Sequence, residues 1–237
     1  MSEVEVNQWD ELSQFLFRER KFTNLIAKNG VLLEGFIFAI GCHKCSMKNE
    51  QFGLYGSLGK IENAKDECRN GGENLSLVGC ILVNYEADIS TNQGSSRFAS
   101  SLTTTMNRFK TSPHLDKDAL LYASGWWFQA GKQTGQIQRD ASKQSTGGKL
   151  IFPNEHFWID LSKCHGLIQV VCSSSTFFHY TNPEHDNAST TLVGMSAQFS
   201  RRLAKTIWWK IHGYYEIGKG AGYHIRDGNT ISSQVKE

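Results

Sequence analysis

Proline is scarce in this chain, with three in 237 residues, and cysteine is limited to six at irregular spacing. The first excludes a proline-rich extended rod, and the second does not resemble a disulfide framework, so a reducing compartment is expected. Charge is also thin: 20% of residues are ionisable, and 25 Lys and Arg against 23 Asp and Glu leave a formal balance of +2. Bulk charge therefore does not announce a nucleic-acid binder, and any basic patch must be local. No apolar run approaches the roughly 20 residues that span a bilayer. The start MSEVEVNQWDE is acidic, unlike a signal peptide. An intracellular protein is expected, in which the sequons at Asn74 and Asn187 stay idle.

What is present is glycine and aromatic surface: 22 Gly, 14 Phe, 7 Tyr and 6 Trp, within a hydrophobic content of 39%. That mix suits an α+β, β-rich domain with glycine-built turns and disfavours a helical bundle. Trp9, Leu12, Phe15 and Leu16 recur at helical intervals, which predicts an amphipathic helix between Gln8 and Lys28 on the outside of a sheet. Val31 to Ile40 reads as a buried strand, and 42–72 as loops around one short strand at Phe52 to Tyr55. Leu75 to Tyr85 reads as another strand, followed by an exposed loop from Ser90 to Ser96.

From Ala119 onward six short apolar runs alternate with polar breaks: ALLYASGWWF, KLIFP, HFWID, LIQVVC, TFFHY and TLVGMSAQF. Such a succession predicts a sandwich or barrel. Alternation sends one of Trp126 and Trp127 into its core. The polar stretch from Gln129 to Gly148 reads as a mobile insertion or substrate lid. The chain turns helical after Ser200, and its last residues read as frayed. With no internal repeat or linker, one domain is expected, with support over 1–90, a core over 105–205 and a basic, aromatic segment over 206–237.

His114 and Asp116 stand two residues apart behind a proline, so in extended chain both side chains point the same way. A third ligand at the end of a buried strand, such as His179 in Phe178-His179-Tyr180-Thr181, would complete two imidazoles and one carboxylate, a set that suits non-haem Fe(II). His156, His165 and His185 are less favoured alternatives. Cys42-His43-Lys44-Cys45 reads as half a zinc site, with Cys68 and Cys80 as conceivable partners and no second paired motif. Cys164 and Cys172 read as packing thiols. Ser173 to Ser175 lack the GxSxG elbow of a serine hydrolase.

The order HxD, then GGKLIFP at 147–153, then a hydrophobic strand ending in His179 resembles the double-stranded β-helix (jelly-roll) of Fe(II)/2-oxoglutarate dioxygenases. Within them it is most similar to the TET/JBP-like nucleic-acid-modifying branch expanded in fungi, over residues 105 to 205. The resemblance implies flanking helices around the jelly roll, His114 and Asp116 as proximal iron ligands, His179 as the distal one, and 2-oxoglutarate and O2 as cosubstrates. It also implies hydroxylation of a C–H bond, with 5-methylcytosine in methylated DNA as the substrate and nuclear residence. The same chemistry on a protein side chain or small molecule is the alternative, as is a degenerate binding module.

One departure stands out. Relatives hold the far carboxylate of 2-oxoglutarate with an Arg on the strand after the distal His, and the corresponding window, Ser189 to Met195, has no basic residue. Thr191 occupies the place; Lys149, Arg201 and Arg202 are the substitutes considered, each equally readable as a solvated charge. Finally, Arg201, Arg202, Lys205, Lys210, Lys219 and Arg226 are interleaved with Trp208, Trp209 and three tyrosines. Cations for phosphates beside aromatic faces for bases suit a nucleic-acid groove, and an amphipathic helix whose tryptophans cover the barrel explains the pattern equally well. Arg18, Arg20 and Lys21 on the first helix would extend such a surface.

Overall fold

The computed structural model describes residues 3–20, 27–28, 31–32, 35–44, 52–54, 101–163, 166–185 and 187–212. The expected strand at Leu75 to Tyr85 and loop at Ser90 to Ser96 lie outside them, as do Cys45, Cys68, Cys80, Cys164, His165, Lys219 and Arg226.

Helix α1 (Glu3–Glu19) begins earlier than its apolar periodicity suggests, with Glu3 and Glu5 in the first turn and Arg18 in the last, charges that complement the helix dipole. Strands β1 (Ala27–Lys28) and β2 (Val31–Leu32) form a small antiparallel ladder, and β3 (Phe36–Lys44) follows. The expected single strand from Val31 to Ile40 is thus broken. At Gly35 the backbone takes φ +78°, and a β-carbon there would lie 2.5 Å from Phe109 N, so only glycine lets the chain kink past that backbone.

The remaining strands are β4 (Phe52–Leu54), β5 (Ser101–Met106), β6 (Ala123–Gly131), β7 (Lys149–Phe152), β8 (Phe157–Asp160), β9 (Ile168–Cys172), β10 (Tyr180–Asn182) and β11 (Thr190–Gln198); helix α2 (Arg201–Ile211) closes the described chain. Six strands form one antiparallel sheet in the order β4-β3-β5-β11-β6-β9, and three form a second, β10-β7-β8. Segment 111–118 joins the second sheet beside β10 through the His114–His179 bridge. From β5 on the chain passes back and forth between the sheets, with β5 and β6 in the large one, β7 and β8 in the second, then β9, β10 and β11 in turn, which is the jelly-roll expected from the sequence. Five of the six apolar runs supply a strand; the sixth, TFFHY, is a turn with exposed Phe177 and Phe178, so His179 precedes β10 instead of ending a buried strand. The strand missed was β5: its SLTTTM reads as polar, yet it lies between β3 and β11.

Each face of the large sheet has its own core. On the outer face Phe15, Leu16 and Phe17 of α1 pack on Phe38, Met106, Phe128, Val193 and Met195, and Trp9 lies over Trp126 with ring centroids 6.4 Å apart. Each such large side chain contributes roughly 1.5–3 kcal/mol by its burial. Between the sheets Leu150, Phe152, Leu161 and Leu192 form the second core. The two tryptophans do alternate: the outward one is sealed by α1, and the inward one, Trp127, packs against the second core and also lines a cavity.

Segment 131–148 is not a mobile lid. Ser13 Oγ of α1 donates to Gly135 O, Asp10 accepts from Ile137 N at 2.8 Å and from Arg139 at 2.6 Å, and Gln129 pairs with Ser145 through both ends of its amide. With its polar groups satisfied internally, the segment is built into the fold.

Candidate metal centre

The His114–His179 bridge is the starting point. His114 N donates to His179 O and His179 N donates to His114 O, both at 3.1 Å, which sets two residues 65 positions apart in the chain side by side with ring centroids 4.6 Å apart. Asp116 is held in the same segment by its own N–H donating to Ser174 O at 2.9 Å. One nitrogen of each imidazole and one oxygen of Asp116 lie within 4.8 Å of one another. His114 Nε2 is 3.6 Å from Asp116 Oδ1, and His179 Nε2 is 3.7 Å from Oδ2.

The surroundings prepare these groups for a cation. His114 Nδ1 lies 2.9 Å from Ser112 O and His179 Nδ1 lies 3.0 Å from Phe177 O. A carbonyl accepts only, so each Nδ1 carries the proton and each Nε2 presents a lone pair toward the carboxylate. Gln198 Nε2 donates to Asp116 Oδ2 at 2.6 Å, which fixes the carboxylate plane. Two imidazoles and one carboxylate on one face, with the other faces open to a cavity, is a donor set that fits Fe(II).

That cavity has a volume of about 280 Å³ and runs between the two sheets from the triad. Its floor is the inner face of β5, β11 and β6, where Thr103, Thr105, Ser196 and Trp127 are exposed to it. Val170 and Cys172 of β9 continue that sheet and Leu150 of the second sheet faces it; burial with the neighbouring Asp116 charge pushes the Cys172 thiol up from its ordinary range. Ser174 Oγ is buried there with no hydrogen-bond partner. Among the described residues no Lys or Arg lines the cavity. The open faces of the triad would suit the chelating keto-acid end of 2-oxoglutarate.

The structure thus brings His114, Asp116 and His179 together and leaves the other candidate ligands apart. His156 sits at φ +56° in the turn between β7 and β8, and His185 Nδ1 lies 3.0 Å from Thr146 Oγ1, with the ring against Gly147. The substitutes for the missing Arg do not reach the cavity. Lys149 alternates with the cavity-lining Leu150 and so projects from the other face of β7, its Nζ 5.2 Å from the centre of the Trp158 ring. Thr191 is fully buried on the outer face of β11, accepting from Asn107 N at 2.8 Å and donating to the buried Glu184 at 2.9 Å. Arg201 Nε donates to Asp118 O at 2.7 Å, and Arg202 is exposed on α2.

Of the basic and aromatic group, Lys205 lies 4.7 Å over the Trp209 ring, and Trp208 is 57% exposed and stacked on His212 at 4.1 Å. Lys210 lies near the end of α2. Four residues of the site escaped the sequence reading: Thr103 and Thr105 on an unrecognised strand, Gln198, and Cys172, which reads as packing. Only alternation along β11, inward at Gly194, Ser196 and Gln198, carried a signal for any of them.

The family model of the Tet-like 2OG-Fe(II) oxygenase superfamily matches residues 81–184. No curated protein matches the chain. Similar solved structures include an oxidoreductase of the 2OG-Fe(II) oxygenase family from Burkholderia pseudomallei, at 15% identity and TM-score 0.40, covering 81% of this chain and 82% of that one. A Pseudomonas putida prolyl-4-hydroxylase is similar at 12% identity and TM-score 0.36, covering 82% and 88%. A prolyl hydroxylase from Trichoplax adhaerens, in complex with a hypoxia inducible factor oxygen degradation domain peptide fragment, is similar at 10% and 0.40, covering 85% and 82%. Over residues 81–184 the chain is similar to the 2OG-Fe(II) oxygenase superfamily, and that match together with the His-Asp-His triad inside the jelly-roll supports an Fe(II)- and 2-oxoglutarate-dependent dioxygenase.

Proposed function

We propose that the enzyme hydroxylates a C–H bond of a methylated nucleobase in DNA, with 5-methylcytosine as the substrate. When bound, iron with O2 and 2-oxoglutarate supplies the oxidising power: one oxygen atom enters the substrate C–H bond and the other enters succinate, with release of CO2. The chain's own part is to hold the metal with His114, Asp116 and His179, to keep each Nδ1 protonated, and to enclose the reacting group in a neutral cavity.

The observation that carries the nucleobase reading is the placement of α2. Its first residues are bonded to the segment that bears Asp116: Arg201 N donates to Lys117 O at 2.9 Å and Arg201 Nε to Asp118 O, while Ser200 bridges Asp118. A helix bearing Arg201, Arg202, Lys205 and Trp208 therefore springs from the metal segment itself. Phosphates on that helix would leave an extruded base facing the cavity, which extrusion is required to reach because a methyl group in a duplex is sterically shielded. Exposed Leu115, Phe177 and Phe178, adjoining His114 and His179 in the chain, offer apolar surface for stacking.

The test is incubation of a methylated duplex with Fe(II), 2-oxoglutarate and O2, followed by mass spectrometry of the nucleosides. We expect 5-hydroxymethylcytosine with the wild type, none with His114→Ala/Asp116→Ala, and weaker DNA binding with a shallower salt slope for Lys205→Glu. Succinate formed at a rate indifferent to DNA would overturn the nucleobase reading. The same apolar rim favours the second reading, a protein side chain as substrate, and stimulation of succinate release by peptides in place of DNA would support it.

A further inference from the structure

Trp127 is oddly placed for a tryptophan inside a jelly roll. It lies across two glycines of the large sheet: a β-carbon at Gly125 would meet the far edge of its six-membered ring at 2.5 Å, and one at Gly194 would lie 2.7 Å from its Nε1. The register explains this, because Gly194 pairs directly with Trp127 and Gly125 precedes it by two residues on the same face of β6. Two missing side chains thus make a shallow bed in which the indole lies flat on the cavity floor.

The polar edge of the ring does not lie alone. The same point above Gly194 is 2.6 Å from Thr105 Oγ1, so indole nitrogen and hydroxyl flank one notch. Thr105 Oγ1 donates to Gly194 O at 3.2 Å, and Ser196, which pairs with Thr103 on one side and Gly125 on the other, brings further hydroxyls to the floor. An indole N–H removed from bulk water ordinarily finds an acceptor. Among the described residues no acceptor is seen for that of Trp127, which opens on a cavity whose described lining carries no cation.

Gly194 and Ser196 lie four and two residues from Gln198, the residue that fixes Asp116, on the same face of the same strand. At about 3.3 Å per residue the notch is on the order of 13 Å along β11 from Gln198. It falls within the Ser189 to Met195 window that lacks the expected Arg.

We propose that the far carboxylate of 2-oxoglutarate is anchored by Trp127 Nε1–H with the hydroxyl of Ser196 and that of Thr105, whose O–H turns from Gly194 O to the carboxylate on binding, neutral donors in place of a guanidinium. The assignment rests on the cosubstrate reading of the site. A carboxylate withdrawn from water needs its oxygens hydrogen-bonded, and a bond between a neutral donor and a charged acceptor is strong enough to supply most of such an anchor.

The experiment is an anaerobic titration of the Fe(II)-loaded protein, reading the visible metal-to-ligand charge-transfer band as the oxo acid binds. Two acids are compared: 2-oxoglutarate, and 2-oxopentanoate, which has a methyl group where the other has the far carboxylate. Trp127→Phe keeps the ring and removes the donor. We expect it to weaken 2-oxoglutarate by about ten- to a hundred-fold and 2-oxopentanoate by no more than about two-fold. Thr105→Val and Ser196→Ala give smaller losses with the same selectivity, and they carry the test if circular dichroism shows Trp127→Phe to be unfolded. Unchanged 2-oxoglutarate affinity in all three variants, or equal losses for both acids, overturns the anchor. A wild type that binds iron but develops no band with 2-oxoglutarate overturns both the anchor and the cosubstrate reading, so the two failures are distinguishable.

Discussion

Asp116 presents two oxygens to two imidazoles, and a free carboxylate would rotate between several orientations. Gln198 removes that freedom with a 2.6 Å bond to Oδ2, the kind of outer support that tunes metal affinity. Gln198→Leu is expected to weaken Fe(II) binding about 10–100-fold while leaving the fold intact, as read by competition with a chelator. A second residue-scale effect lies away from the site. Asp160 ends β8, and its carboxyl is held below its ordinary value chiefly by the Ser162 hydroxyl at 2.6 Å, against the opposing effect of partial burial. The Ser162 N–H and the charges of Lys163 and Lys149 add to the lowering. Because the folded value is the lower one, its contribution to stability is full above the unfolded value of about 3.9 and is lost as pH falls through the folded value. Asp160→Ala is therefore expected to cost about 1 kcal/mol at pH 7 in urea denaturation and to converge on the wild type in the most acidic buffers.

At the scale of elements, α1 does two things with adjoining stripes of its surface. Phe15, Leu16 and Phe17 seal the outer face of the large sheet, and Asp10 and Ser13 tie down segment 131–148. The sequence of that segment, rich in Gln, Ser, Thr and Gly, has the composition of a mobile loop. Composition records what a segment does not bury; it carries no information about a helix more than 110 residues away that satisfies its backbone. Ser13→Ala is expected to raise amide exchange across 131–138 by roughly the factor that one lost buried hydrogen bond allows, about ten-fold, with iron affinity unchanged. Hydrogen exchange with mass spectrometry measures both the site and the extent. Strand β5 shows the converse: Thr103 and Thr105 look like surface in the sequence, but they face a polar cavity that only pairing with β3 and β11 creates.

For the whole molecule, the triad joins parts of the chain that meet only when the jelly roll closes, His114 and Asp116 from one segment and His179 at the edge of β10. A metal that binds only the folded state stabilises it by mass action, about 2.7 kcal/mol at a hundred times its dissociation constant. Fe(II) under anaerobic conditions is expected to raise Tm by several degrees, a chelator to reverse the rise, and His179→Ala to abolish it. A rise of equal size in that variant, measured by scanning calorimetry, would place the metal elsewhere.

The sequence by itself determined the strand succession after Ala119 and the outer helix, because these rest on periodicities of two and 3.6, while the jelly-roll class and the three candidate ligands came from a resemblance to a known family. What only the tertiary structure decided is how the cavity is made. Gln198 is legible as an inward position and not as a partner of Asp116; Lys149 is legible as a cation and not as one aimed away from the site; Trp127 is legible as inward and not as lying on Gly125 and Gly194. Each depends on which strands become neighbours and in what register, and hydrogen-bond pairing between distant segments leaves no trace in the local pattern of either one.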